Sequence, residues 1–145
     1  MTTHVLVPID GSDPSWKALD HAIEQYDGAT IAILHVVSPT EGLYEGPDGG
    51  YFDQGAYERA LDRGEELCDR AETRIREQVT ETSTTVKTAV ETGRPAREIL
   101  AYADAHDVDH VVIGSHGRSG VSRILLGSVA ETVTRRSPVP VTVVR

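Results

Sequence analysis

Short, almost uninterrupted apolar runs alternate along this chain with segments of helical periodicity, and that alternation restricts the fold more than any other feature. HVLVPID (residues 4–10) stops at Asp10-Gly11 and reads as a buried strand. TIAILHVV (30–37) reads the same way, and TTVKTAVETG (84–93), HVVIG (110–114) and VPVTVV (139–144) give the third, fourth and fifth strands. Between the first two, Ser12 or Asp13 can cap a helix, Pro14 suits its first position, and Leu19, Ala22, Ile23 and Tyr26 form one stripe. A long helix is predicted over 56–79, with Ala60, Gly64, Cys68, Ala71 and Ile75 among its inward residues, and Pro95 opens a shorter one. SVAETVTRR (128–136) makes the last. Residues 38–54, with four glycines and two prolines, are predicted to be too irregular for an element: a lid, a partner contact or a disordered loop. Strands that are apolar throughout must be covered on both faces. The expectation is therefore an α/β, doubly wound, Rossmann-like domain with five parallel strands, spanning residues 1–145 as one unit.

Composition narrows the functional classes. No apolar stretch reaches the roughly 18 residues a membrane helix needs. The start, MTTHVLVPID, shows no basic segment followed by an apolar one, and the lone Cys68 cannot form an internal disulfide, so the expected location is cytoplasmic. A net charge of −9 argues against nucleic acid as a partner, because a phosphate backbone would be repelled. The charge is also unevenly placed. Residues 114–145 carry Arg118, Arg123, Arg135, Arg136 and Arg145 against Glu131 alone, while all the remaining acids precede them. A cationic opening on an acidic chain suits a small anionic ligand. Only Lys17 and Lys87 are lysines, a pattern that fits a salt-rich cytoplasm and equally a high-GC genome.

The opening of that cationic segment, GSHGRSGVSRILLGSV (114–129), follows the fourth apolar run directly. In an open parallel sheet, ligands bind beyond the carboxyl ends of the strands where strand order reverses, so Asp10-Gly11 and Gly114 are expected to face one crevice. On this reading Gly114 permits a sharp turn, and Gly117 and Gly127 let backbone N–H groups approach a phosphate. Gly127 also precedes a helix whose first N–H groups carry the positive end of its dipole. Ser128 adds a hydroxyl there; with Glu131 it also makes a capping box, S-x-x-E, which needs no ligand. Neither a Walker G-x-x-x-x-G-K-[ST] nor a G-x-G-x-x-G after the first strand is present.

The spacing is instead Gly114-x2-Gly117-x9-Gly127-Ser128, and here the chain resembles the ATP-binding branch of the universal stress protein family, whose signature is G-x2-G-x9-G-[ST]. VLVPIDGS, ILHVV, VVIGSHG and SPVPVTVV occur in the family's order, so the resemblance covers essentially the whole chain. It implies the strand order 3-2-1-4-5. It implies that Pro8, Ile9 and Asp10 line an adenosine pocket, with Asp10 near the ribose or a metal, and that the Val36 backbone meets adenine. It implies that Ile113 and Gly114 flank the ribose, and that Gly117, Gly127, Ser128 and Val129 hold the phosphates of ATP, with Mg or Mn accompanying the nucleotide. It further implies a homodimer through the final strand, Val139 to Val144, which would otherwise leave an apolar edge uncovered.

Other residues carry alternatives. His116 and Arg118 can meet phosphates or stand in solvent, and His35, in an apolar run, reads as a core histidine satisfied locally. No H-E-x-x-H pattern marks a zinc site. Three functions remain open: a nucleotide-binding stress-response module, a slow ATPase or phosphotransferase, and a dimerising stress protein that binds no nucleotide. Phosphoryl transfer needs positioned cations and a group orienting the nucleophile, and the loop offers no lysine. Binding is the expected activity.

Two expectations follow from the sequence alone. Gly117→Val should remove most ATP affinity in a calorimetric titration while leaving the circular dichroism unchanged; undiminished affinity would place the phosphates elsewhere. If the acidic, lysine-poor composition reflects a saline interior, the thermal midpoint should climb from low to molar salt, and a flat profile would leave genome composition as the explanation.

Overall fold

A computed structural model describes residues 2–79, 83–116 and 126–145. The elements run β1 (His4–Pro8), α1 (Asp13–Gln25), β2 (Thr30–Val37), β3 (Leu43–Gly46), β4 (Gly49–Phe52), α2 (Gln54–Gln78), β5 (Thr85–Thr92), α3 (Pro95–Ala105), β6 (His110–Gly114), α4 (Ser128–Arg136) and β7 (Val141–Val144). Five strands form one sheet in the order β5-β2-β1-β6-β7, every pair parallel. This is the predicted order, with the chain winding outward from β1 in both directions.

The apolar runs explain why both faces are covered. Val5, Val7, Ile31, Ile33 and Val112 face α1 and α2, packing on Ala18, Leu19, Ala22, Cys68, Ala71 and Ile75. Their alternating neighbours Leu6, Leu34, Val111 and Ile113 face α3 and α4, packing on Ile99, Ala103 and Val133. Each such side chain, once fully buried, contributes about 1.5–3 kcal/mol, so these two apolar layers dominate the fold's stability. Cys68 behaves as the core residue expected, its thiol pushed up to about 11 by burial and then by Asp69.

One segment departs from the reading of residues 38–54 as irregular. Leu43–Gly46 and Gly49–Phe52 pair antiparallel around Pro47 and Asp48, and Gly49 takes φ +106 to complete the turn. Leu43 lies opposite Phe52, and Tyr44 stacks on Tyr51 with ring centroids 5.4 Å apart. The hairpin thus rests on aromatic cross-strand pairs, which contribute about 0.2–1 kcal/mol each, rather than on a buried face. All four of those side chains stay substantially exposed, so no hydrophobic alternation announces the strands. Asp53 then caps α2 by accepting from the Ala56 N–H at 3.1 Å, which starts that helix two residues earlier than the apolar stripe suggested.

α1 and α2 are clamped by a fork. Arg74 donates from Nε to Asp20 Oδ1 at 2.7 Å and from Nη2 to Oδ2 at 2.8 Å, while its guanidinium lies 5.6 Å from the Trp16 ring centroid. These bonds, ahead of the opposing effect of burial, hold the Asp20 carboxyl below its ordinary value. A depressed carboxyl stabilises the fold above its unfolded value, and that contribution disappears as pH falls through the folded one. Both groups keep a third or more of their exposure, so solvent screening limits the clamp to about 1 kcal/mol or less. Arg74→Ala should therefore unfold at lower urea than the parent at pH 7, and the two curves should converge once Asp20 is protonated. A gap that persists undiminished in acid would show that Arg74 acts through packing on Trp16 instead.

Candidate functional site

The β1-β6 junction is where the winding changes direction, and the strand ends there open into a cleft of about 350 Å³. β1 and its exit supply Pro8, Ile9 and Asp10; β2 supplies Leu34 and Val36; β6 and its exit supply Ile113, Gly114 and His116. Gly127, Ser128, Val129 and Ala130 come from the start of α4, Pro95 and Ile99 from α3, and Ser15 from α1. Ten of the sequence-predicted site residues therefore share one cavity: Pro8, Ile9, Asp10, Val36, Ile113, Gly114, His116, Gly127, Ser128 and Val129. Gly117 and Arg118 lie outside the described residues. Ser15, Leu34, Pro95, Ile99 and Ala130 were not foreseen. Leu34 and Ile99 looked like ordinary core, and only the winding of α3 against β2 turns their upper ends into a wall.

The cleft has an apolar floor and a polar rim. Ile9 and Ile113 are 3% and 4% exposed, so a flat ring entering here would be desolvated between aliphatic surfaces. Asp10 is half-buried at the rim; its Oδ1 accepts from the Ser12 N–H at 2.9 Å, which orients the carboxylate and begins the turn into α1. Ser12 in turn caps α1, accepting from the Ser15 N–H at 3.4 Å. His35 is half-buried, and its Nδ1 donates to the Ile9 carbonyl at 2.8 Å, so it is satisfied locally as expected and holds the β1 exit in place.

Two glycines are required by close packing. Gly114 is not among the positive-φ residues. A Cβ on it would lie 2.8 Å from the Pro14 carbonyl carbon and 2.9 Å from the Ser15 nitrogen, so the missing side chain lets the first turn of α1 press on the end of β6. Gly127, likewise, has φ −65 and is itself the N-cap of α4; its N–H donates to the Ser115 carbonyl at 2.7 Å, and a Cβ would meet His116 Cα at 3.0 Å. Close packing at the rim, not left-handed backbone, is what these positions demand.

The capping box is also corrected. Ser128 is the first helical residue rather than the cap, no side chain caps the helix, and Glu131 pairs with Arg135 at 3.7 Å. The opening turn of α4 therefore meets the cleft with the positive end of its dipole unmasked by a cap, and Ser128 stands exposed there. Among the described residues no group of three or more His, Cys, Asp or Glu could hold a metal. A divalent cation would need phosphate oxygens to complete its shell, with Asp10 as the one carboxylate lining the cleft among the described residues.

A parallel sheet wound both ways, with an apolar cleft and a glycine-led helix start at its switch point, defines a Rossmann-like α/β fold. The model of the universal stress protein family matches residues 1–145, and the chain belongs to that family. It is 34% identical over 154 residues to universal stress protein YxiE of Bacillus subtilis, covering 100% of both chains. Among solved structures, the universal stress protein UspA from Lactobacillus plantarum is similar with a TM-score of 0.79 at 27% identity, over 99% of this chain and 97% of that one. A universal stress protein solved in complex with cAMP is similar with a TM-score of 0.69 at 25% identity, over 99% and 97%. No helix among the described residues is long and apolar enough to cross a membrane.

Proposed function

We propose that the cleft binds an adenine nucleotide, ATP by preference, and that the protein is a nucleotide-dependent regulatory module of the stress response. One observation carries this reading: a desolvated apolar slot and an uncapped helix start meet in a single cavity of nucleoside size. Adenine would lie between Ile9, Leu34 and Val36, with the Val36 backbone as its partner. The ribose would sit at Asp10, Ile113 and Gly114. The phosphates would reach the N–H groups of Ser128 and Val129, with Gly117, His116 and Arg118 around them. Mg or Mn would travel with the phosphates and touch Asp10. The family relative solved with cAMP supports an adenine ligand of this kind.

The output in this reading is an altered edge. Ser115 donates its N–H to the Val144 carbonyl at 2.7 Å, so whatever orders residues 114–116 also bears on the end of β7. Among the described residues that strand pairs only with β6 and leaves its other side open, a surface that a second copy would cover through Val139 to Val144. Binding rather than turnover is the activity in this reading, because residues 114–129 offer no glutamine or carboxylate to orient an attacking water.

The test is direct. Purified protein, denatured and analysed by mass, should release an adenine nucleotide, and titration of the emptied protein with ATP should give saturable heat. Neither release nor heat with ATP, AMP, cAMP or adenosine would leave a stress protein that works without nucleotide. Steady accumulation of ADP from added ATP would make it an ATPase.

A further inference from the structure

The glycine-rich segment that follows β6 offers a triphosphate tail Arg118 and Arg123 but no lysine. Tertiary structure brings one from elsewhere. A second cavity, of about 480 Å³, opens beside the first and is lined by Asp13, Pro14, Lys17, Ser115, His116 and Arg145. His116 lines both cavities and so forms their common wall. Lys17 sits one turn into α1, and the close approach of Pro14 and Ser15 to Gly114 sets that turn against the β6 exit. Arg145 follows β7, whose end is tied to Ser115 by the Ser115 N–H to Val144 carbonyl bond.

Both cations are placed by strand and helix packing rather than by the glycine-rich segment. Neither has a carboxylate within ion-pairing distance among the described residues, although Asp13 lines the same cavity. Lys17 and Arg145 thus line one cavity on a chain whose total is −9. Ser115 Oγ and His116 Nδ1 lie 3.2 Å apart at the shared wall and give the passage hydrogen-bonding groups as well as charge. An anionic chain leaving the first cavity past His116 meets these donors in a cavity that Asp13 also lines.

We propose that the second cavity is the polyphosphate end of the nucleotide site, where Lys17, assisted by Arg145, takes the terminal phosphate and sets the preference for ATP over AMP. This rests on the adenosine reading of the first cavity. A lysine ammonium is a compact charge on a flexible stem and suits a phosphate whose position shifts, while the arginine fork can take two oxygens at once. A monophosphate ends before this point and gains nothing from either residue.

The experiment is calorimetric titration of the parent, Lys17→Gln and Arg145→Gln with ATP, AMP and inorganic tripolyphosphate, with circular dichroism to confirm folding. Lys17→Gln should weaken ATP by about tenfold, as loss of one partly solvated charge contact does, with AMP held within about twofold. Arg145→Gln should move in the same direction. Unchanged ATP affinity, or equal losses for ATP and AMP, would overturn the proposal. Should the parent bind neither nucleotide, the adenosine reading fails on that result alone. Tripolyphosphate binding that vanishes in Lys17→Gln would then still support the anion site, and no binding of tripolyphosphate by the parent would remove it.

Discussion

The close approach of α1 to the end of β6 at Gly114 is the contact on which the rest of the site depends. A single methyl group there would stand within 3 Å of two backbone atoms, neither of which can swing aside as a flexible side chain would. Because the position is bare, α1 starts immediately above the strand ends. Ser15 then enters the wall of the cleft, and Lys17 overlooks the neighbouring cavity. The local hydrogen bonds at Asp10, Ser12 and His35 hold the same corner from the β1 side. The cleft is thus a consequence of how two chain exits are packed, with few polar groups needed to hold it open.

Electrostatics and packing act on different scales in this molecule. The acidic total repels polyanions at a distance, whereas in the proposed function the cationic stretch after β6 and the bare start of α4 would attract a small anion at short range, inside a screening length of about 8 Å. The opening does not need a net positive protein; it needs donors aimed inward and few carboxylates nearby. Among the described residues Asp10 is the one carboxylate in the cleft wall, and its orientation by Ser12 suits a hydroxyl-bearing sugar or a metal better than a bare phosphate.

Much of the architecture was legible in advance because its signals are local. Apolar runs long enough to be strands, Pro14 and Pro95 near helix starts, and a small-residue stripe at Ala60, Gly64, Cys68 and Ala71 each report on their own neighbourhood. The hairpin at residues 43–52 was missed because its pairing rests on Tyr44 against Tyr51 and Leu43 against Phe52 in solvent. A periodicity that measures burial cannot detect such strands. The near-symmetric spacing of Leu-Tyr and Tyr-Phe about Pro47-Asp48 was the available signal. The capping box misled for a related reason: S-x-x-E describes what Ser128 and Glu131 could do, but Gly127 occupies the cap because Ser115 takes its N–H.

By itself the sequence determined the strand count of the main sheet and the covering of both its faces, which follow from spacing along the chain, and its resemblance to a known family pointed to that family and to a short list of residues able to meet a ligand. Tertiary structure alone decided which of those residues share a cavity, that Ser15, Leu34 and Ile99 join them, and that Lys17 stands beside His116 although 99 positions separate them. The reason is geometric. Spacing along a chain fixes local conformation, but the convergence of distant segments depends on strand order and on how closely the backbones can approach, and Gly114 reveals that limit only once α1 is seen lying against it.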